Sequence, residues 1–344
     1  MHGGDIYRNR VNIDFSINSN PFGMPESVKN ALQESIVNCG SYPDIRNEKL
    51  LAAIAAKDGV NKEHILCGNG ASELFMSIVH GLLPKKIMIP VPSFFGYEYA
   101  AAASDSEILF YKMKEEEGFN LNREFLAFLK RGIDILFLAN PNNPTGNLIA
   151  PVFLEAVLKV CKKLDIIVVL DECFLEFVEG EGELSLKLSI NKWPNLIVVR
   201  SFTKIFAIPG VRLGYLLCAE EVLLQKIKRQ LPEWNLSSFA QAAGVNACGE
   251  KDYIAYTAAF VKREREYMTG KLQQMGIKVF PSEADYLLFY SEYPLYEKLL
   301  ERGILIRDCS NFRGLGKGFY RAAVRTAEEN RCLLKEIEKQ KGCG

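Results

Sequence analysis

Seven short apolar runs recur at residues 64–67, 86–90, 107–111, 133–138, 166–170, 196–199 and 213–218, and the stretches between them, such as 71–82 and 152–164, read as helices. A run that is apolar at consecutive positions buries both of its faces, and strands of that kind alternating with helices form a mostly parallel sheet covered on both sides. In such sheets ligands gather in the crevice at the carboxyl ends of the strands. The loops that follow these runs are therefore where chemistry is expected.

The flanking regions have a different character. Residues 1–25 are polar and irregular, with Gly3-Gly4 and a turn-rich stretch from Asn18 to Gly23, and predict an arm or short strand. Pro25 in a first turn predicts a helix over 26–37, and a turn at 41–44 leads into a second helix over 47–57. Beyond Pro232 come a long helix over 251–275, whose charges Lys262, Arg263, Glu264, Arg265 and Glu266 read as a solvated face, and short strands near 278, 285–290, 304–306 and 319–324 with helices at 295–302 and 328–340. A chain of 344 residues that is 48% hydrophobic exceeds one compact unit. The expected division is an N-terminal arm (1–40) contributing to a small domain, a large domain (41–232), and a smaller α+β C-terminal domain (233–344).

Lys+Arg and Asp+Glu both number 42, so the net charge is zero and nothing points to a nucleic-acid or membrane partner. No apolar run reaches the length of a membrane span and the first residues lack the features of a signal peptide, which predicts a cytoplasmic protein. The nine cysteines are scattered without a Cys-x-x-Cys pair and the chain has three histidines. That pattern predicts reduced thiols, with neither a disulfide framework nor a metal site.

The segment from Val199 to Tyr215 concentrates the unusual chemistry. Lys204 lies among Phe202, Ile205 and Phe206, and apolar surroundings disfavour an ammonium and lower its pKa. A neutral amine is a nucleophile suited to a Schiff base with an aldehyde. Ser201 and Thr203 add hydroxyls and Arg212 a planar cation, groups that hold a phosphate dianion. Together they ask for an aldehyde bearing a phosphate, of which pyridoxal phosphate is the common one. A surface lysine before a Pro-Gly turn is the alternative for that lysine taken alone.

Four more loops bear on the choice. Gly68-Asn-Gly70-Ala71-Ser72 follows a strand and opens a helix, offering backbone N–H groups to an anion or forming a plain strand-helix turn. Phe94 offers a ring that stacks on a pyridine or fills core. In Asn140-Pro-Asn-Asn143-Pro144-Thr-Gly146, the two prolines restrict the preceding residues and set the Asn143 amide out of the sheet edge as a donor. Asp171 closes an apolar run, where it pairs with a protonated pyridine nitrogen or caps the following loop.

In this order, Asn-Pro-x-Asn-Pro-Thr-Gly, Asp-Glu, Ser-x-x-Lys and Gly-x-Arg-x-Gly-Tyr resemble the fold-type I pyridoxal-phosphate enzymes of the class I/II aminotransferase superfamily over nearly the whole chain. The resemblance implies an α/β fold with a large, mostly parallel sheet between helices and a smaller α+β domain. It implies that Lys204 carries the cofactor as a Schiff base, Asp171 pairs with the ring nitrogen, Asn143 donates to the ring oxygen and Phe94 stacks on the ring. Gly70, Ala71, Ser72, Ser201, Thr203 and Arg212 would hold the phosphate, and Tyr42 would reach across a homodimer to the partner's cofactor. Among the branches that handle phosphorylated amino compounds, the opening His2-Gly-Gly, the stretch through Asn18, Phe174 in place of a tyrosine, and the strands carrying Arg307 and Arg321 are similar to threonine-phosphate decarboxylases of cobalamin biosynthesis. Histidinol-phosphate aminotransferases are the alternative. By that likeness His2, Asn18, Asn143, Arg307 and Arg321 meet a small phosphorylated amino acid.

Overall fold

The computed structural model describes residues 3–342. Its strands are β1 (Ile13–Asp14), β2 (Ile65–Gly68), β3 (Lys86–Val91), β4 (Glu107–Lys112), β5 (Ile135–Ala139), β6 (Ile167–Asp171), β7 (Leu196–Ser201), β8 (Gly214–Leu217), β9 (Lys278–Val279), β10 (Tyr286–Tyr290), β11 (Ile304–Leu305), β12 (Arg307–Asp308) and β13 (Phe319–Ala323). Strands β2 to β8 form one sheet in the order β2-β8-β7-β6-β5-β3-β4. Every pairing in it is parallel except the two made by β8.

The apolar runs become strands because alternate residues of each feed a different core. Leu136, Leu138, Val168, Leu170, Leu196 and Val198 face the helix Pro151–Lys163, whose Leu154, Val157, Leu158 and Cys161 are buried against them. Ile135, Phe137, Val169, Ile197, Val199 and Leu216 face Leu74, Phe75 and Ile78 of the helix Ala71–Leu82. Each such side chain contributes about 1.5–3 kcal/mol by leaving water, so a strand that slipped by one residue would exchange the two cores.

A second, antiparallel sheet runs β12-β13-β10-β9. The N-terminal arm joins this region: β1 pairs in parallel with β11, and Ala323 N–H donates to the Phe15 carbonyl at 2.9 Å.

Two expectations need correction. The helix predicted over 26–37 is α-helical only for Glu26–Glu34 and tightens to a 3₁₀ helix over Ser35–Gly40, with Pro25 outside it as the residue that caps its start. There the Ser35 hydroxyl donates to the Ala31 carbonyl at 2.6 Å, a local bond that competes with the regular ladder. The charged face of the helix Lys251–Gln274 is also not wholly solvated: Glu264 and Arg265 are buried, and Arg265 donates to the Glu283 and Ala284 carbonyls at 2.8 and 3.2 Å.

Beneath β7 lies a buried charge cluster. Arg200 points to the opposite face from Ser201, and Asp58 lies within 3.5 Å of Arg200 and 3.3 Å of both Lys57 and Lys187, while accepting the Tyr215 hydroxyl at 2.5 Å. Burial alone would raise the Asp58 pKa, but the three cations and the hydroxyl overcome it and hold the carboxyl well below the usual range. The cluster fastens the helix Glu48–Asp58 under the strand that leads to Lys204. Asp58→Ala removes one carboxylate of the cluster while Lys57 keeps Glu176 and both Lys187 and Arg200 keep Glu181, so at pH 7 urea unfolding is expected to show a loss of about 3 kcal/mol, the lower end of the cost of breaking a buried pair. With a depressed folded pKa, the native contribution is present above the unfolded pKa and disappears as the pH falls through the folded one, so the gap between variant and native protein should narrow below about pH 4.

Candidate active site

The carboxyl ends of β3, β5, β6 and β7 open into one cavity of about 740 Å³, closed on its other side by the N-terminal arm and by β12 and β13. Ala71, Ser72, Phe94, Asn143, Asp171, Phe174, Ser201, Thr203, Lys204 and Arg212 line it, together with Asn18, Arg307 and Arg321. Gly70 stands beside it with a positive φ of 80°, and a side chain at that position would collide with the Arg212 guanidinium. His2 lies outside the described residues. Tyr42 is not brought to this cavity: it is 80% exposed and packs against Trp234 with ring centroids 4.8 Å apart.

Ser201 closes β7 and caps the short helix Phe202–Ile205, accepting from Thr203 N–H at 3.2 Å, with the two hydroxyl oxygens 2.7 Å apart. The following residue, Lys204, is fixed from behind by Asn20, whose N–H donates to the Lys204 carbonyl at 3.0 Å and whose amide donates to the Ile205 carbonyl at 2.7 Å. Burial lowers the Lys204 pKa and the positive charge of Arg321 lowers it further, while Asp285 acts in the opposite direction. An amine so placed is available as a nucleophile nearer neutral pH than a solvated lysine.

Asp171 uses its two oxygens differently. Oδ1 accepts Cys173 N–H at 2.9 Å, which is the loop cap, and Oδ2 accepts the Tyr97 hydroxyl at 2.5 Å. The loop cap is therefore present, and the same carboxylate also lines the cavity. Burial raises its pKa, and the donors from Cys173 and Tyr97 lower it. Tyr97 escaped the sequence reading; its one signal is a tyrosine three residues past Phe94 on the buried side of the helix Phe95–Ala102, where a hydroxyl needs a partner.

The Asn140–Gly146 loop contains two cis Asn–Pro peptide bonds. It is pinned by Gly146 N–H to the Asn142 carbonyl at 2.6 Å and by the Tyr286 hydroxyl to the same carbonyl at 2.9 Å. The Asn143 side-chain oxygen accepts from Arg321, which leaves its NH₂ as the group free to donate into the cavity.

Arg321 also donates to the Ser16 carbonyl at 2.8 Å, and its Cα partner across the strand pair is Arg307. Like charges directly opposite are unfavourable in a sheet. Here each has its own acceptors, Arg307 donating to the Asp308 carbonyl at 2.5 Å and to the Asn311 oxygen at 2.7 Å, and the pair presents two guanidinium groups at one wall. Arg325, by contrast, is engaged with Glu329 at 3.0 Å.

Hydroxyls, a cation and a helix start near an amine fit a phosphate-bearing aldehyde, with Asn143 and Asp171 as donor and carboxylate for a heteroaromatic ring. The Asn18 oxygen is buried with no partner among the described residues, as expected of a group awaiting a ligand.

A family model for aminotransferase class I and II matches residues 10–337. The chain belongs to that family. This aminotransferase-family chain is 37% identical to the threonine-phosphate decarboxylase of Salmonella typhimurium, across 94% of its own length and 89% of the relative's. Among solved structures, the histidinol-phosphate aminotransferase of Clostridium acetobutylicum aligns with a TM-score of 0.90 at 32% identity, covering 96% of this chain and 100% of the other. The L-threonine-O-3-phosphate decarboxylase of Porphyromonas gingivalis aligns at 0.84 and 25%, covering 95% and 98%.

Asp285 is fully buried and neither carboxylate oxygen has a hydrogen-bond partner among the described residues. Burial pushes its carboxyl up to about 7 against the pull of Lys204 and Arg321. A raised folded pKa means that stability is present below the unfolded pKa and lost as the pH climbs through the folded one. Asp285→Asn escapes that loss, so its Tm measured against the native protein should improve between pH 4.5 and pH 7.5; a constant difference would show that Asp285 does not titrate in this window.

Proposed function

We propose that this chain is a pyridoxal-phosphate-dependent decarboxylase that converts L-threonine O-3-phosphate to 1-aminopropan-2-yl phosphate and CO₂ in cobalamin biosynthesis. The observation that carries the reading is the cross-strand pair Arg307 and Arg321. Two adjoining guanidinium groups suit a substrate with two anionic ends, because each binds two oxygens at once. A phosphorylated amino acid has a phosphate and a carboxylate, whereas histidinol phosphate has only the former. The likeness to the Salmonella enzyme points the same way.

In this reading Lys204 is the amine that bonds to the cofactor's aldehyde and later holds a proton at Nζ for the substrate carbon. Asp171, positioned by Tyr97, holds the ring nitrogen protonated, Asn143 donates to the ring oxygen, and Phe94 and Phe174 confine the ring. Gly70, Ala71, Ser72, Ser201, Thr203 and Arg212 hold the cofactor phosphate, and Asn18 and His2 meet the substrate. Bound there, pyridoxal phosphate supplies the electron sink that accepts the pair left when the Cα–carboxyl bond breaks. With one guanidinium of the Arg307–Arg321 pair on the phosphate and the other on the carboxylate, the substrate would be held so that the Cα–carboxyl bond is the one poised to break.

The reading includes a cytoplasmic homodimer with the domain division at residue 232. Ile36, Val37, Tyr42, Ile45 and Trp234 are exposed apolar side chains, Tyr42 stacked near Trp234, and this supports a second copy packing there with Tyr42 directed to the partner's cofactor.

The second reading, transamination of a phosphate ester, rests on the close superposition with the Clostridium aminotransferase. Incubation with O-phosphothreonine and no keto acid separates the two. The expected result is CO₂ over many turnovers with the cofactor spectrum unchanged; a single stoichiometric conversion to the amine form would establish transamination. Lys204→Ala should remain folded and lose turnover by several orders of magnitude. Arg307→Ala should lose most of the preference for phosphothreonine over threonine, measured as the ratio of kcat/KM values, because the partner group is left without its donor.

A further inference from the structure

The turn between β2 and the helix Ala71–Leu82 is held by a contact that the chemistry above does not use. Glu73 stands at the third position of that helix, and its Oε2 accepts Asn69 N–H, four residues back, at 2.6 Å. The same oxygen accepts the side-chain NH₂ of Asn235 at 3.0 Å, and that NH₂ also donates to the Cys67 carbonyl at 3.2 Å. One carboxylate oxygen and one amide thus staple strand, turn and helix start together. Asn235 comes from the segment between the helices Glu221–Lys228 and Ser238–Ala247, 162 residues beyond Glu73. Its neighbour Trp234 has a φ of 53°, a left-handed conformation that a bulky residue keeps only where its surroundings enforce it. The Asn235 bonds fix the chain directly after that strained residue.

In a full capping box, a Ser or Thr ahead of the helix fills the N–H of the third residue while a Glu there reaches back. Here Gly70 takes the first place and brings no side chain. The first N–H groups of the helix, which have no acceptor within it, are therefore kept for a ligand. Ala71 and Ser72 line the cavity, whereas Glu73 does not. Glu73 supplies the backward half of the box and bonds Asn69, because Gly70 N–H already donates to the Gly68 carbonyl at 2.8 Å. We propose that Glu73, together with Asn235, is a positioning residue for the cofactor phosphate, fixing the turn so that the Ala71 and Ser72 N–H groups keep their direction. Hydrogen bonds weaken steeply when misaligned, and a turn free to shift would misalign several charge-assisted bonds at once. The inference rests on the reading in which these residues hold that phosphate.

The test compares pyridoxal phosphate with pyridoxal, which lacks the phosphate, by equilibrium dialysis against the full-length chain freed of cofactor. Glu73→Ala and Asn235→Ala are expected to weaken pyridoxal phosphate about tenfold and pyridoxal by less than about twofold, since only the phosphate loses its aligned donors. Glu73→Gln keeps an oxygen for both donors and should restore most of the affinity, which separates acceptor geometry from charge. Thermal unfolding of the cofactor-free variants records that each is folded, and Asn235→Ala decides the matter should Glu73→Ala fail to fold. Unchanged affinities in both alanine variants overturn the proposal, as does a loss of pyridoxal binding as large as that of pyridoxal phosphate, the mark of a general structural defect. A glutamine variant as weak as the alanine one overturns it too. If the native chain binds the two compounds equally, the phosphate reading of this loop fails and the proposal falls with it. A native preference that both alanine variants retain leaves that reading standing and removes only the role of Glu73 and Asn235.

Discussion

Arg321 is the interaction on which the site depends. From β13 it reaches Asn143, 178 residues earlier, and the Ser16 carbonyl, 305 residues earlier. One guanidinium thereby joins the loop beyond β5, the N-terminal arm and the smaller sheet into a single wall. Its planar fork suits this task because several donors leave one rigid group in fixed directions. The same contact orients Asn143 by occupying its oxygen and leaving the NH₂ toward the cavity, so holding the fold together and preparing the site are one event.

Burial then sorts the charges. Lys204, Asp171 and Asp285 all lose hydration, which pushes the lysine down and both acids up. The two acids differ in their hydrogen bonding, since Asp171 receives the Tyr97 hydroxyl and the Cys173 N–H while the Asp285 oxygens have no partner from another residue among the described residues. Beneath the sheet the Asp58 cluster shows the opposite case, in which three cations more than offset burial.

The alternation of apolar runs with helices identified the strands to within a few residues, because burial on both faces leaves a continuous signature in local composition. Lys204, Asp171, Asn143, Phe94 and the hydroxyls beside Arg212 were legible for a similar reason: each sits in a short stretch whose residue types conflict with a plain turn or strand. The buried Glu264 and Arg265 were misread as solvated because nothing within one helix shows which of its charged faces another segment will cover.

What the sequence by itself determined about this protein was the set of parts, namely the strands, the loops that end them and the reactive side chains those loops carry. Tyr97 on Asp171, Asn20 behind Lys204, the facing of Arg307 on Arg321 and the isolation of Asp285 were decided only by tertiary structure. The Tyr97–Asp171 and Asn20–Ile205 contacts join residues 74 and 185 positions apart. The first depends on β5 alone separating β3 from β6, and the facing of the two arginines depends on β13 lying between β12 and β10. Strand order and register are set by how whole faces bury against one another, and no local period in the chain records which distant face that will be.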